Sequence, residues 1–268
     1  MKKYMIRCDI EGVTGVISYE QSNPGRSEHE FGKKMFMADL LILIEGLNAG
    51  GADEIWIYDE HYFGRNMDIA VLPENVKAIC GKPPYRHDWA GGLDESFAGV
   101  ILMGFHPKNG AGELLHHTYE PDIKDLILNG ISVGEIGIET AIAGDWGVPL
   151  VMITADSAGV KEAEALVPGV SGVSVKESLG ASGAVCFPAK LTARLIHEAA
   201  GKVVTNPPRV KPWKVVNPEL KVVFNPGPYL NKFRELFGCG DDIVIKGKTV
   251  TACWAEYWRM KLETQGKM

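Results

Sequence analysis

An α/β fold with a largely parallel sheet, followed by a smaller α+β domain, is what this 268-residue sequence predicts. Three observations predict it. The run Ala98-Gly99-Val100-Ile101-Leu102-Met103-Gly104-Phe105 is almost purely apolar, which suits a strand buried on both faces of a parallel sheet. Strand-like runs then alternate with helical periodicity through the first part of the chain. After Pro188 that alternation gives way to a different order of elements, so a boundary there divides residues 1–188 from residues 189–268.

Tyr4-Met5-Ile6 opens as a strand and yields to a loop at Gly12-Val13-Thr14-Gly15. Val16 to Ser27, with Asn23-Pro24-Gly25 inside it, reads as a surface loop. Phe31, Met35, Leu40, Ile44 and Leu47 recur at roughly helical spacing and predict a helix from Glu28 to Asn48, ended by Gly50-Gly51. Glu54 to Asp59 and Val76 to Cys80 are strand candidates, and Ala98 to Phe105 is the most apolar. Asn129-Gly130 between Lys124–Leu128 and Ile131–Val133 is a tight hairpin signal. A helix from Glu135 to Ala143, a strand from Pro149 to Thr154 and a short helix from Lys161 to Leu166 follow. Val170–Val175 and Ala184-Val185 are weaker strands. The second part reads as a helix (Ala189–Ala200), a strand (Lys221–Phe224), a helix (Tyr229–Phe237), a two-stranded unit (Ile243–Thr251) and a last helix (Trp254–Glu263).

Composition excludes several classes. A net charge of −6 with no basic run argues against nucleic acid or an anionic membrane as partner. No apolar stretch approaches a membrane span, and the longest, Met35 to Ile44, is broken by Asp39. Met1-Lys2-Lys3-Tyr4 runs straight into Arg7 and Asp9 rather than an apolar leader, so a cytoplasmic location is expected. The five cysteines are odd in number, widely spaced and without a Cys-x-x-Cys pair, which indicates neither a disulfide framework nor a zinc finger.

The ionisable residues fall at strand ends. Asp9 and Glu11 end the first strand, one residue apart, and would project to the same side. Carboxylates held that close call for a positive partner. His61 lies just past the next strand, His106 directly after the most apolar one, and Glu135 at the start of a helix. Ligands of open α/β sheets bind outside the carboxyl ends of the strands, so parallel neighbours would bring all five into one crevice. Each has an ordinary explanation on its own: a solvated strand end, a loop histidine, a helix N-terminal acid. All five at successive strand ends favour a site.

Two imidazoles and three carboxylates without thiolate suit zinc, manganese, iron or cobalt. The charge balance favours two ions: three carboxylates carry three negative charges, two divalent cations carry four positive ones, and a bridging hydroxide cancels the remainder. Such a pair activates water and polarises a carbonyl. His116-His117 adds an acid, base or oxyanion donor, and only one of two neighbours can face the site. Asp156, which also ends a strand, is a candidate to support a ligating imidazole.

These residues in this order resemble the zinc D-aminopeptidase family, along most of the chain. Asp9-Ile10-Glu11-Gly12 matches the second half of its Ser-x-Asp-x-Glu-Gly motif, with Arg7 in place of the Ser. Tyr58-Asp59-Glu60-His61, Gly104-Phe105-His106 and Val133-Gly134-Glu135-Ile136-Gly137 match its other metal motifs, and spacing from both sides puts the catalytic His on His117. The resemblance implies Asp9, Glu11, His61, His106 and Glu135 as ligands of two zinc ions per chain, with Asp9 bridging. It also implies hydrolysis of the N-terminal bond of short peptides, a preference for an N-terminal D-residue, and a ring-shaped homo-oligomer, a decamer. A cyclic amide or γ-glutamyl amide hydrolase, and a non-catalytic metal or small-molecule binding protein, are the alternatives.

Overall fold

The computed structural model describes residues 1–268. Its elements in chain order are β1 (Lys3–Cys8), α1 (Tyr19–Ser22), α2 (His29–Ala49), β2 (Glu54–Asp59), β3 (Val76–Ile79), β4 (Gly99–Phe105), β5 (Ile123–Leu128) and β6 (Ile131–Val133). There follow α3 (Glu135–Asp145), β7 (Leu150–Asp156), α4 (Ser157–Leu166), β8 (Ser171–Ser178), β9 (Ala184–Cys186), α5 (Ala189–Thr205), β10 (Glu219–Phe224), α6 (Pro228–Phe237), β11 (Asp242–Lys246) and α7 (Val250–Gln265).

Seven strands form one sheet in the order β3-β2-β1-β4-β7-β8-β9, parallel except for the edge strand β9. Both faces are covered, and the period-two alternation is read directly in the core. Tyr4, Ile6, Cys8, Ile101 and Met103 pack with residues of α2 and α5, while Met5, Val100 and Leu102 pack with α3 and the second sheet. The second sheet is antiparallel, in the order β11-β10-β5-β6, and is backed by α6 and α7.

The second sheet draws strands from both sides of Pro188: Leu126 of the hairpin pairs with Val222. Helix α5, just after Pro188, packs against α2 of the large sheet. In the second part of the chain, one element differs from expectation. Ile243 to Thr251 is not a two-stranded unit, because β11 ends at Lys246 and α7 starts at Val250. Thr249 caps that helix by accepting from the Ala252 N–H, and Asp145 accepts from the N–H groups of Val250 (3.2 Å) and Thr251 (2.7 Å). Those tertiary partners override the β-branched pattern of Thr249-Val250-Thr251.

The chain reverses its direction of winding between β1 and β4, so the crevice beyond their carboxyl ends is the switch point where open α/β sheets take ligands.

Candidate metal centre

Asp9 and Glu11 leave β1 at that crevice, held close against the end of β4. The Asp9 N–H donates to the Met103 carbonyl at 2.8 Å and the Gly12 N–H to the Gly104 carbonyl at 2.7 Å. A Cβ on Gly12 would lie 1.7 Å from the Phe105 carbonyl oxygen, so only glycine permits the approach. Gly104 has φ 73° at a register shift between β4 and β7, a bulge that turns the chain just before His106. Lys176, buried on β8, donates to the carbonyls of Glu11, Val13 and Val16 at 2.7, 2.9 and 2.6 Å. All three of its protons are thereby used. Burial pushes its ammonium down to about 8.

His61 follows β2 in a turn pinned by Asp59, which accepts from the N–H groups of His61 (3.2 Å) and Asn66 (2.7 Å). Its Nδ1 lies 2.8 Å from Asp9 Oδ1 and 3.2 Å from Glu11 Oε2. Its Nε2 donates to the Ser22 carbonyl at 2.8 Å. His106 Nδ1 donates to the Pro107 carbonyl at 3.0 Å, which turns Nε2 toward Asp9 Oδ2 (3.4 Å) and Glu135 Oε1 (3.2 Å). Two triads result, Asp9-Glu11-His61 and His106-His117-Glu135, each with its donor atoms within 4.8 Å of one another. Asp9 faces both, one oxygen to each imidazole.

The donor set fits a pair of divalent cations. Glu11 Oε2 and His106 Nε2 are buried without a hydrogen-bond partner, which a metal would supply. In both His61 and His106 the ring nitrogen facing away from the acids is spent on a backbone carbonyl, which fixes the tautomer and leaves the other nitrogen free for a metal.

The electrostatics state the same demand. Burial, the largest influence on His61, lowers its pKa, but the charge of Glu11 and the bonds to Asp9 and Glu11 outweigh it and hold it well above the ordinary imidazole range. His106 is raised in the same way: burial opposes, Glu135 and Asp9 prevail. Burial favours a neutral Asp9, yet the two imidazoles pull it well below the carboxylate range. Glu135 is lowered too, against burial, chiefly by His106. Without metal, imidazolium protons stand in for the cations.

His117 lies where the site opens, its side chain 27% exposed. Its ring stacks on His106 with centroids 3.9 Å apart and planes at 9°, and its Nδ1 donates to the Leu115 carbonyl at 2.9 Å. Nε2 is left facing Glu135 Oε1 at 3.7 Å. The backbone on both sides is left-handed, with φ 52° at Leu115 and 53° at Tyr119, conformations that persist only where surroundings enforce them. His116 points away and accepts from the Gly110 N–H at 3.2 Å. Asp156 caps α4 through Gly159 at 2.8 Å, and neither of its oxygens hydrogen-bonds a histidine.

Nothing local in the chain pointed to Lys176, to the Ser22 carbonyl or to Tyr119, whose N–H donates to Glu135 Oε1 at 2.6 Å. Ser22 belongs to the short helix α1 inside the stretch expected to be surface loop. Asp59, next to Glu60-His61, is the one supporting residue that adjacency could have flagged.

A protein-family model described as D-aminopeptidase, of the M55 peptidases, matches residues 1–231. A D-aminopeptidase of Bacillus subtilis (strain 168) is 28% identical over 214 residues, spanning 79% of this chain and 77% of that protein. The solved structure of a Zn-dependent D-aminopeptidase, DppA from Bacillus subtilis, called a self-compartmentalizing protease, superposes with a TM-score of 0.88. It is 22% identical and covers 98% of this chain and 97% of its own. That likeness is of fold: the mixed α/β architecture with its large, mostly parallel sheet. With the family model matched along most of its length and the ligand motifs gathered at one sheet end, the chain belongs to the M55 D-aminopeptidase family.

Proposed function

We propose that this chain is a zinc-dependent aminopeptidase that hydrolyses the N-terminal bond of short peptides carrying a D-residue at that end. The observation that carries it is Asp9 set between two buried imidazoles, with Glu11 closing one triad and Glu135 the other. Asp9, Glu11 and His61 would hold one zinc; Asp9, His106 and Glu135 the second. A zinc pair supplies a Lewis acid for the carbonyl and lowers the pKa of water.

The rest falls to the chain's own side chains. His117, with Nδ1 fixed as a donor, presents Nε2 at the mouth to take a proton and return it to the leaving amine. No helix is long and apolar enough to cross a membrane. The self-compartmentalizing character of the Bacillus subtilis enzyme supports a homo-oligomer here; a ring-shaped decamer in the cytoplasm is the form we propose for it.

His117→Ala tests the assignment. Both zinc ions should remain, with kcat on a D-aminoacyl amide falling roughly 10²- to 10⁴-fold, the usual contribution of a general acid–base. Loss of one zinc would make His117 a ligand instead. Wild-type turnover of cyclic amides but of no D-aminoacyl amide would refute the substrate.

A further inference from the structure

Arg7 is fully buried on β1, two residues before Asp9 and on the same face. It pairs through Nη1 with Glu139 and lies 3.4 Å from Glu60 Oε1. Nη1 also donates to Tyr85 Oη at 3.2 Å, and Nη2 to the Ala90 carbonyl at 2.6 Å. Lys82 Nζ reaches Glu60 Oε2 at 3.0 Å, so two cations face two carboxylates.

Glu139 lies one turn after Glu135 on α3 and accepts from Tyr119 Oη at 2.8 Å. The same Tyr119 gives its backbone N–H to Glu135 Oε1. Its ring packs on Trp254 with centroids 4.6 Å apart. An ionised Glu139 could not stay in this core without a partner charge, and Arg7 is that charge. An unbroken series of contacts therefore runs from Arg7 through Glu139 and Tyr119 to Glu135.

We propose that Arg7 and Glu139 are positioning residues: through the Tyr119 hydroxyl they fix the Tyr119 N–H on Glu135 and hold the turn that carries His117. The inference rests on Glu135 being a metal ligand. It gives the Arg at position 7 a task in the site without substrate contact. It also accounts for Tyr119 keeping a left-handed backbone: hydroxyl, ring and N–H are tied to three different partners.

Tyr119→Phe and Glu139→Gln test it by zinc titration of chelator-stripped protein, with Tm and steady-state kinetics beside it. Loss of such a supporting bond should weaken the Glu135 subsite roughly 10- to 100-fold and leave the Glu11 subsite within about twofold. kcat should fall with KM little changed. Arg7→Met should do the same; if it fails to fold, Tyr119→Phe, which keeps the ring on Trp254, decides. Unchanged zinc affinities in both variants, or both subsites falling together with Tm as for an ordinary core ion pair, overturn the inference alone. Wild-type protein that takes up no zinc overturns the metal centre and the inference with it.

Discussion

Asp9→Asn separates a shared carboxylate from five independent ligands. Asp9 lies 2.8 Å from His61 Nδ1 through one oxygen and 3.4 Å from His106 Nε2 through the other, whereas Glu11 reaches only His61 and Glu135 only His106 and His117. Removing its charge should weaken both subsites, while Glu11→Gln and Glu135→Gln should each weaken one. A unit charge about 4 Å from a divalent cation, at an effective dielectric constant of about 20, is worth about 8 kcal/mol, or roughly a millionfold in affinity before desolvation of the carboxylate is counted against it. Asn still offers a neutral oxygen, so a loss of at least roughly a hundredfold at each subsite is the expected outcome. The assay is metal-to-chain stoichiometry by elemental analysis after dialysis against a graded series of chelators. Wild type should hold two zinc ions per chain, Glu11→Gln and Glu135→Gln one, and Asp9→Asn none at the same chelator strength. An Asp9→Asn protein that keeps one ion as tightly as wild type would refute the shared carboxylate.

Metal-free protein should lose thermal stability as pH rises above about 6.5. His61 and His106 have folded pKa values above the unfolded value, so their contribution is complete below about 6.5 and is lost as pH climbs through the folded pKa. Burial pushes Asp39 up to about 6, so its titration falls below that onset. Zinc replaces those protons, so zinc-loaded protein should hold its Tm over the same range; parallel melting curves in buffers of rising pH check both, and a flat metal-free curve would contradict the assignment. Gly12→Ala should cost about 3 kcal/mol, the upper end for overpacking, because its Cβ would meet the Phe105 carbonyl. It should reduce zinc uptake as well, since the same contact holds Asp9 and Glu11 near His106; wild-type Tm and zinc content would show that the close approach is not needed.

The candidate ligands could be picked out because apolar runs mark where strands end, and a polar residue at such an end stands out. Asp9, Glu11, His61, His106 and Glu135 all carry that mark. Their supports do not. Ser22 acts through a carbonyl, which every residue has. Lys176 meets Glu11 across 165 positions and Arg7 meets Glu60 across 53, so no local window contains either pair. The same distance limit hid the second sheet. Asn129-Gly130 announced a hairpin, but nothing nearby said that Leu128 would pair with Leu220. Between His116 and His117 periodicity could not choose, since adjacent loop residues have no face assigned to them; only the family's spacing pointed to His117.

The small sheet explains how Glu135 reaches the residues at the end of the parallel sheet. Asp9, Glu11, His61 and His106 follow β1, β2 and β4, which hydrogen-bond to one another. Glu135 has no such strand beneath it. It follows β6, and β6 pairs with β5, which pairs with β10. The C-terminal part of the chain supplies no ligand, yet it anchors the hairpin that delivers one. Helix α7 acts on the same place from the other side: its Trp254 packs on Tyr119, and the N–H groups at its start bind Asp145 at the far end of α3. The family model, matching through residue 231, takes in β10 but not β11 or α7. The superposition with the solved structure spans 98% of this chain, so helix α7, which packs on Tyr119 and binds the end of α3, lies within the shared fold.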